Sequence, residues 1–238
     1  MDAPQHHIPT EVYLDFLGRT IPIHWHYHAY LMFGIWIVFV PLCIIAIRFF
    51  KPKPQGIGIT TKVGLTNPKW WWFSVHKYGL YTAVGLSLGG AGLALVVSKG
   101  FSGSVHSMFG ITTVIFGCLQ VISSLMRGRH GGKYYATAKP DDPSTWFGDH
   151  YNFTARRRIF EAYHKSAGYF TLFFAAGAVG SGLMQFHLPV LIPLAFIVPL
   201  FYAAIWIFLQ YLGRNYDGYR AVFGPGMEHP YNAARKDL

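Results

Sequence analysis

The sequence predicts an all-α membrane protein with five transmembrane helices, four of them forming a bundle. Three observations carry this. Hydrophobic residues make up 52% of the chain and charged residues 13%, with a mean hydropathy of +0.28; a soluble domain carries about 25% charge. The apolar residues gather in five runs, each meeting the ~20 residues a spanning helix needs. The runs are continuous, whereas barrel strands would alternate over ~10 residues. Finally, the basic residues fall almost wholly between runs on one side.

Residues 1–26 read as a polar outer segment, with Asp2, Glu11 and Asp15 against Arg19. Its start, MDAPQHHIP, lacks a basic stretch leading into an apolar one, so no cleavable signal peptide is expected. The membrane domain covers 27–212. Its first run, about 27–50, ends at Arg48, Lys51 and Lys53, and a Pro/Gly/Lys loop fills 51–69. The second run, about 70–97, opens on Trp70, Trp71 and Trp72, which read as an interfacial anchor. SKGFSGS leads into the third, about 104–126. A long basic connection, 127–158, precedes the fourth run, about 159–185, and the turn QFHLP leads to the fifth, about 188–212. Residues 213–238 form a polar tail.

Orientation follows from lysine and arginine. The face after runs one, three and five carries Arg48, Lys51, Lys53, Lys62 and Lys69, the basic residues of 127–158, and Arg214, Arg220, Arg235 and Lys236. The other face has Arg19 and Lys99. By the positive-inside rule the N-terminus lies outside and the tail in the cytoplasm. The net charge of +10 therefore reports topology; no groove-lining stripe suggests nucleic acid. A bacterial inner membrane and a eukaryotic endomembrane both remain open.

Four histidines, His28, His76, His106 and His164, each sit a few residues inside the start of an apolar run. An ionisable side chain at such depth costs ~2.5–3.5 kcal/mol even on lenient scales, so it marks a functional site by default. Antiparallel helices sort the four. His28 and His106 share the outer leaflet, and His76 and His164 the inner one. First with third and second with fourth are the diagonal pairs of a four-helix bundle, where bundles build cofactor sites. Two imidazoles on opposite sides of a flat macrocycle give a six-coordinate haem iron with no open position, which suits electron transfer. Gly110 and Gly168 follow His106 and His164 by one turn on the same helix face, leaving space for haem packing. Helix packing alone also explains such glycines, and Gly85, Gly89 and Gly92 fit that reading. The layers are ~25–30 Å apart at most, from ~1.5 Å rise per residue.

Other features are blander. Cys43 and Cys118 lie within apolar runs and read as reduced core residues. HWHYH at 24–28 admits a surface zinc or copper site through His24 and His26, or an interfacial polar belt. His187 sits in the outer turn. No glycine-rich phosphate loop follows a strand, so no nucleotide or flavin domain is expected.

At the four histidines the chain resembles the cytochrome b561 family. HAYLMFGIWIVFVP around His28, WFSVHKYG around His76, SVHSMFG around His106 and RRIFEAYHKSAG around His164 are similar to that family's four histidine settings. Gln120 falls where the family often carries glutamine. The resemblance covers about 27–212. It implies two b-type haems, with the four histidines as iron ligands, and electron transfer from a cytoplasmic reductant to an outer acceptor. In CIIAIRFF, Arg48 stands where the ascorbate-using branch has an arginine, while that branch's tyrosine is absent, so the donor is ascorbate-like or other. Arg48, Lys69, Lys77 and the triplet Arg156, Arg157 and Arg158 are candidates for holding propionates or an anionic donor; lipid headgroups and topology also explain them. A cytochrome b subunit exchanging electrons with quinone is the alternative, and a haem-free transporter is the third reading. The 127–158 loop would dock a partner subunit, cover the inner site or act as a solvated linker; a homodimer is left open.

Overall fold

A computed structural model describes residues 9–235. Residues 1–8, on which the signal-peptide expectation rests, and Lys236 lie outside the described residues. Five helices are long and apolar enough to cross a membrane: α1 Trp25–Phe49, α2 Trp71–Val97, α3 Val105–Leu125, α4 Ala155–Gln185 and α5 Leu191–Tyr211. They mark an integral membrane protein. Their outer surfaces expose Leu93, Leu125, Phe196 and Ile207 at about 70%, an apolar sheath that water would not tolerate at this scale.

Helices α1 to α4 pack in a ring, each against the next and α4 back against α1, with α3 and α4 the tightest pair. The diagonals are therefore α1 with α3 and α2 with α4. Helix α5 lies outside this ring against α1 and α4. The mid-bundle core is Ile35, Trp36 and Val40 with Ala83 and Ala175. Hydrocarbon gives little drive to bury apolar surface, so small residues that admit close contact decide the fit. Gly177 shows this on α4: a Cβ there would stand 2.7 Å from the Phe109 ring of α3.

Helix starts follow local chemistry. Ser104 caps α3 by accepting from the Ser107 N–H at 3.2 Å. Thr154 caps α4 through the Arg157 N–H and itself donates to Asp149 at 2.8 Å. That cap begins α4 four residues before the apolar run, placing Arg156, Arg157 and Arg158 on its first turn. Helix α1 widens into a π-helical stretch at Gly34–Phe39, just before Pro41. Proline has no N–H and its ring crowds the carbonyl four residues back, which the wider turn accommodates. The Tyr202 hydroxyl of α5 donates to the Val38 carbonyl in this stretch at 3.0 Å.

The polar ends hold more structure than their composition suggests. On the N-terminal face, β1 Glu11–Leu14 pairs antiparallel with β2 Arg19–Pro22, and the Trp25 indole ties to the Pro9 carbonyl at 2.8 Å. On the opposite face the tail forms α6 Gly218–Phe223 and α7 Pro230–Ala233. These dock onto the 127–154 connection through aromatic contacts, including Tyr151 against Phe223 and His229. The connection is thus folded rather than a solvated linker. Trp70 and Trp72 are buried there, with Ile59 and Val222, and only Trp71 of the three is exposed, at 44%. The triplet is mainly a core element of this cap, not an interfacial anchor. Gly131 and Gly148 cross backbone to backbone within the cap, where any side chain would collide, and Gly131 also has φ +69°.

Candidate functional site

The bundle brings the four histidines together as two pairs. His28 and His106 have ring centroids 6.2 Å apart, and His76 and His164 6.3 Å apart. Each pair joins diagonal helices, and the ring planes cross at 86° and 77°. A metal held between two imidazoles sets the centroids ~6.3 Å apart, from two bonds of ~2.0–2.1 Å and ~1.1 Å between each bonding nitrogen and its ring centre. Both pairs have the spacing for one metal centre each.

The other ring nitrogens are held from outside the pairs. His106 Nδ1 donates to the Ala178 carbonyl of α4 at 2.8 Å. His76 Nδ1 donates to the Cys43 carbonyl of α1 at 3.3 Å. His164 Nδ1 donates to the Ser123 hydroxyl at 3.3 Å, and that hydroxyl passes its own proton to the Gln120 carbonyl at 2.9 Å. The His28 ring faces the Gly90 carbonyl. For His76, His106 and His164 these bonds put the proton on Nδ1 and leave Nε2 unprotonated. Among the described residues the hydrogen bonds of His76, His106 and His164 all run through Nδ1.

Glycines set how closely the rings approach. A Cβ at Gly182 would stand 3.0 Å from the His106 ring, so any larger residue there would push that ring away by a few tenths of an ångström. At Gly110 and Gly168 a Cβ would meet nothing within 4 Å. Both therefore open onto unfilled space one turn beyond their histidines. Gly110 lines a cavity of about 360 Å³ that also takes in His28, His106, Trp25, Trp36 and Phe186. Gly79 and Gly34 differ: Gly79 is packed against Cys43 and Phe39, while Gly34 is open.

The basic candidates scatter. Arg48 lies over the Trp206 ring at 5.8 Å, and Lys77 over Tyr78 at 4.8 Å. Lys69 is exposed at the turn before α2. Arg158 is exposed and lies 6.0 Å over Phe153. Its neighbour Arg157 stands closer to the histidines: its guanidinium lies 5.0 Å over Phe160, which stacks on His164 at 5.1 Å. Arg157 is held by Glu161 at 2.8 Å and by the Tyr219 hydroxyl at 3.2 Å. The sequence offers the 156–158 triplet as a whole, and the first turn of α4 sets Arg157 apart from Arg156 and Arg158. His24 and His26 sit 5.5 Å apart ring to ring, and no third ligand joins them: no group of three or more His, Cys, Asp or Glu is placed to hold a metal ion among the described residues. Cys43 and Cys118 are free. Comparison with family models, with curated proteins and with solved structures found no match to the chain.

Proposed function

We propose that this chain is a transmembrane electron carrier of the cytochrome b561 type, with one b-type haem between each histidine pair. The observation that carries the reading is the paired geometry: two diagonal pairs at 6.2 and 6.3 Å, with Nδ1 of His76, His106 and His164 bound to protein acceptors. Haems held there would supply reversible one-electron storage.

The chain's residues would do the rest. His28 and His106 would hold the group near the N-terminal face, and His76 with His164 the one near the other face. Carbonyls of Cys43 and Ala178 and the Ser123 hydroxyl fix ring orientation and raise ligand basicity. Gly110 and Gly168 leave room for a flat ring. Trp36, Ile35 and Ala83 keep water from the space between the layers. Arg157, rather than Arg158, is the basic residue best placed to face a propionate at the His164 site. The excess of lysine and arginine on the tail side orients that side to the cytoplasm. Electrons then pass from a cytoplasmic reductant, ascorbate-like or other, to an outer acceptor.

Sealed vesicles carrying the full chain test this. With ascorbate or a water-soluble quinol inside and ferricyanide outside, ferricyanide should be reduced only in vesicles that contain the chain. His76→Leu should stop it. Equal rates with and without the chain would overturn the reading.

A further inference from the structure

A second cavity, of about 550 Å³, lies in the cap between the 51–69 loop, the 127–154 connection and the tail. Its size falls within the ~300–1,000 Å³ of small-molecule sites. None of the four transmembrane histidines lines it.

The walls have three kinds of unmet chemistry. Lys62, Arg127, Arg129 and Lys133 line the cavity against a single carboxylate, Glu228. Among the described residues none of these four cations is in an ion pair; the ion pairs involve Arg157, Lys165 and Glu161. Arg127 is half-buried, its guanidinium over the Phe73 ring at 5.1 Å. Cations collected at a partly desolvated site favour an anion.

Polar atoms are also waiting. His130 Nε2, His229 Nε2 and Thr61 Oγ1 are buried without a partner, and all three residues line the cavity. Native proteins leave few such atoms, and each asks for a reason. The two imidazoles have opposite roles. His130 Nδ1 donates to the Gly131 carbonyl at 3.0 Å, so its Nε2 is an acceptor. His229 Nδ1 accepts from the Tyr231 N–H at 3.2 Å, so its Nε2 carries a proton and donates. Burial lowers both histidines to about 4, which keeps them neutral near pH 7. Flat faces complete the cavity: Trp70, Trp146, Tyr151 and Phe223 line it, and His229 is 2% exposed.

We propose that this cap cavity binds a planar ring-bearing carboxylate that also carries ring hydroxyls. The carboxylate answers the unpaired cations, a hydroxyl proton answers His130, an oxygen answers His229, and the ring lies among the aromatic walls. The site stands on its own residues and does not depend on haem.

Titration calorimetry on the full chain in detergent, with four probes, tests it. Binding of 3,4-dihydroxybenzoate should be at least about tenfold tighter than that of benzoate, which lacks the hydroxyls, or of catechol, which lacks the anion. Inorganic phosphate should not compete. Arg129→Gln with Lys133→Gln, at exposed and half-exposed positions, should weaken dihydroxybenzoate about tenfold and leave catechol unchanged. His130→Phe should erase the preference for dihydroxybenzoate over benzoate; if that variant does not fold, the Arg129/Lys133 pair decides. No binding of dihydroxybenzoate, equal binding of benzoate, or displacement by phosphate would overturn the proposal.

Discussion

His76 of α2 and His164 of α4 face each other across the bundle diagonal at 6.3 Å, each with its Nδ1 bound to an acceptor on a helix it does not belong to. The pair is therefore positioned by four helices at once. His28 and His106 face each other in the same way at the other face, 6.2 Å apart, with His106 Nδ1 bound to the Ala178 carbonyl of α4.

If each pair holds its own haem, the sites fail separately. His76→Ala or His164→Ala should leave about half the haem, as should His28→Ala or His106→Ala, and a variant from each pair combined should leave none. Haem-to-chain ratios of the purified variants check this. Loss of all haem from a single substitution would contradict independent sites.

Two glycines separate packing from ligand space. A Cβ at Gly79 would meet the Cys43 sulfur at 2.6 Å, beside the carbonyl that holds His76. Gly79→Ala should cost ~1–3 kcal/mol through overpacking, read as a lower Tm. Gly110 has open space around its Cβ position. Gly110→Leu should leave the Tm of the haem-free chain near its original value yet lower haem content by about half.

Glu161 ties the tail to the bundle. Its carboxylate accepts from Arg157 at 2.8 Å and from the Tyr219 hydroxyl at 2.7 Å. Glu161→Gln should weaken that attachment by ~1.5–3 kcal/mol, since these hydrogen bonds are charge-assisted. Limited proteolysis should then cut within 213–235 first. An unchanged cleavage pattern would show that the aromatic contacts alone hold the tail.

The cap should loosen in acid. Burial lowers His130 and His229 to about 4 and holds His150 well below its usual range. The unfolded cap therefore binds protons that the folded cap refuses. Stability contributed by these neutral rings is full above about pH 6.5 and falls as the pH drops toward 4. Hydrogen exchange in α6 and α7 should speed up between pH 7 and 5 beyond its intrinsic change. Flat protection over that range would contradict it.

The five helices were legible because hydrocarbon demands long continuous apolar runs, and the diagonal pairing was legible because antiparallel order alone sorts His28, His76, His106 and His164. The cap was not. Its contacts join residues far apart in the chain, such as Tyr151 with His229, and leave no periodic trace. The hairpin at 11–22 escaped because its strands are only four residues each, too short for an alternating pattern to stand out. The sequence offers Arg156, Arg157 and Arg158 alike; only the helix start at Thr154 singles out Arg157, which lies over Phe160 beside His164. The wide turn at Gly34–Phe39 could have been expected from Pro41, the one local signal of it in the sequence.

The central claim is two haems held by histidine pairs, and a reduced-minus-oxidised absorption spectrum of the purified full chain tests it most directly. The account predicts a sharp b-type α-band whose amplitude corresponds to two haems per chain and halves in His76→Ala. A purified, folded chain with no such band would contradict it.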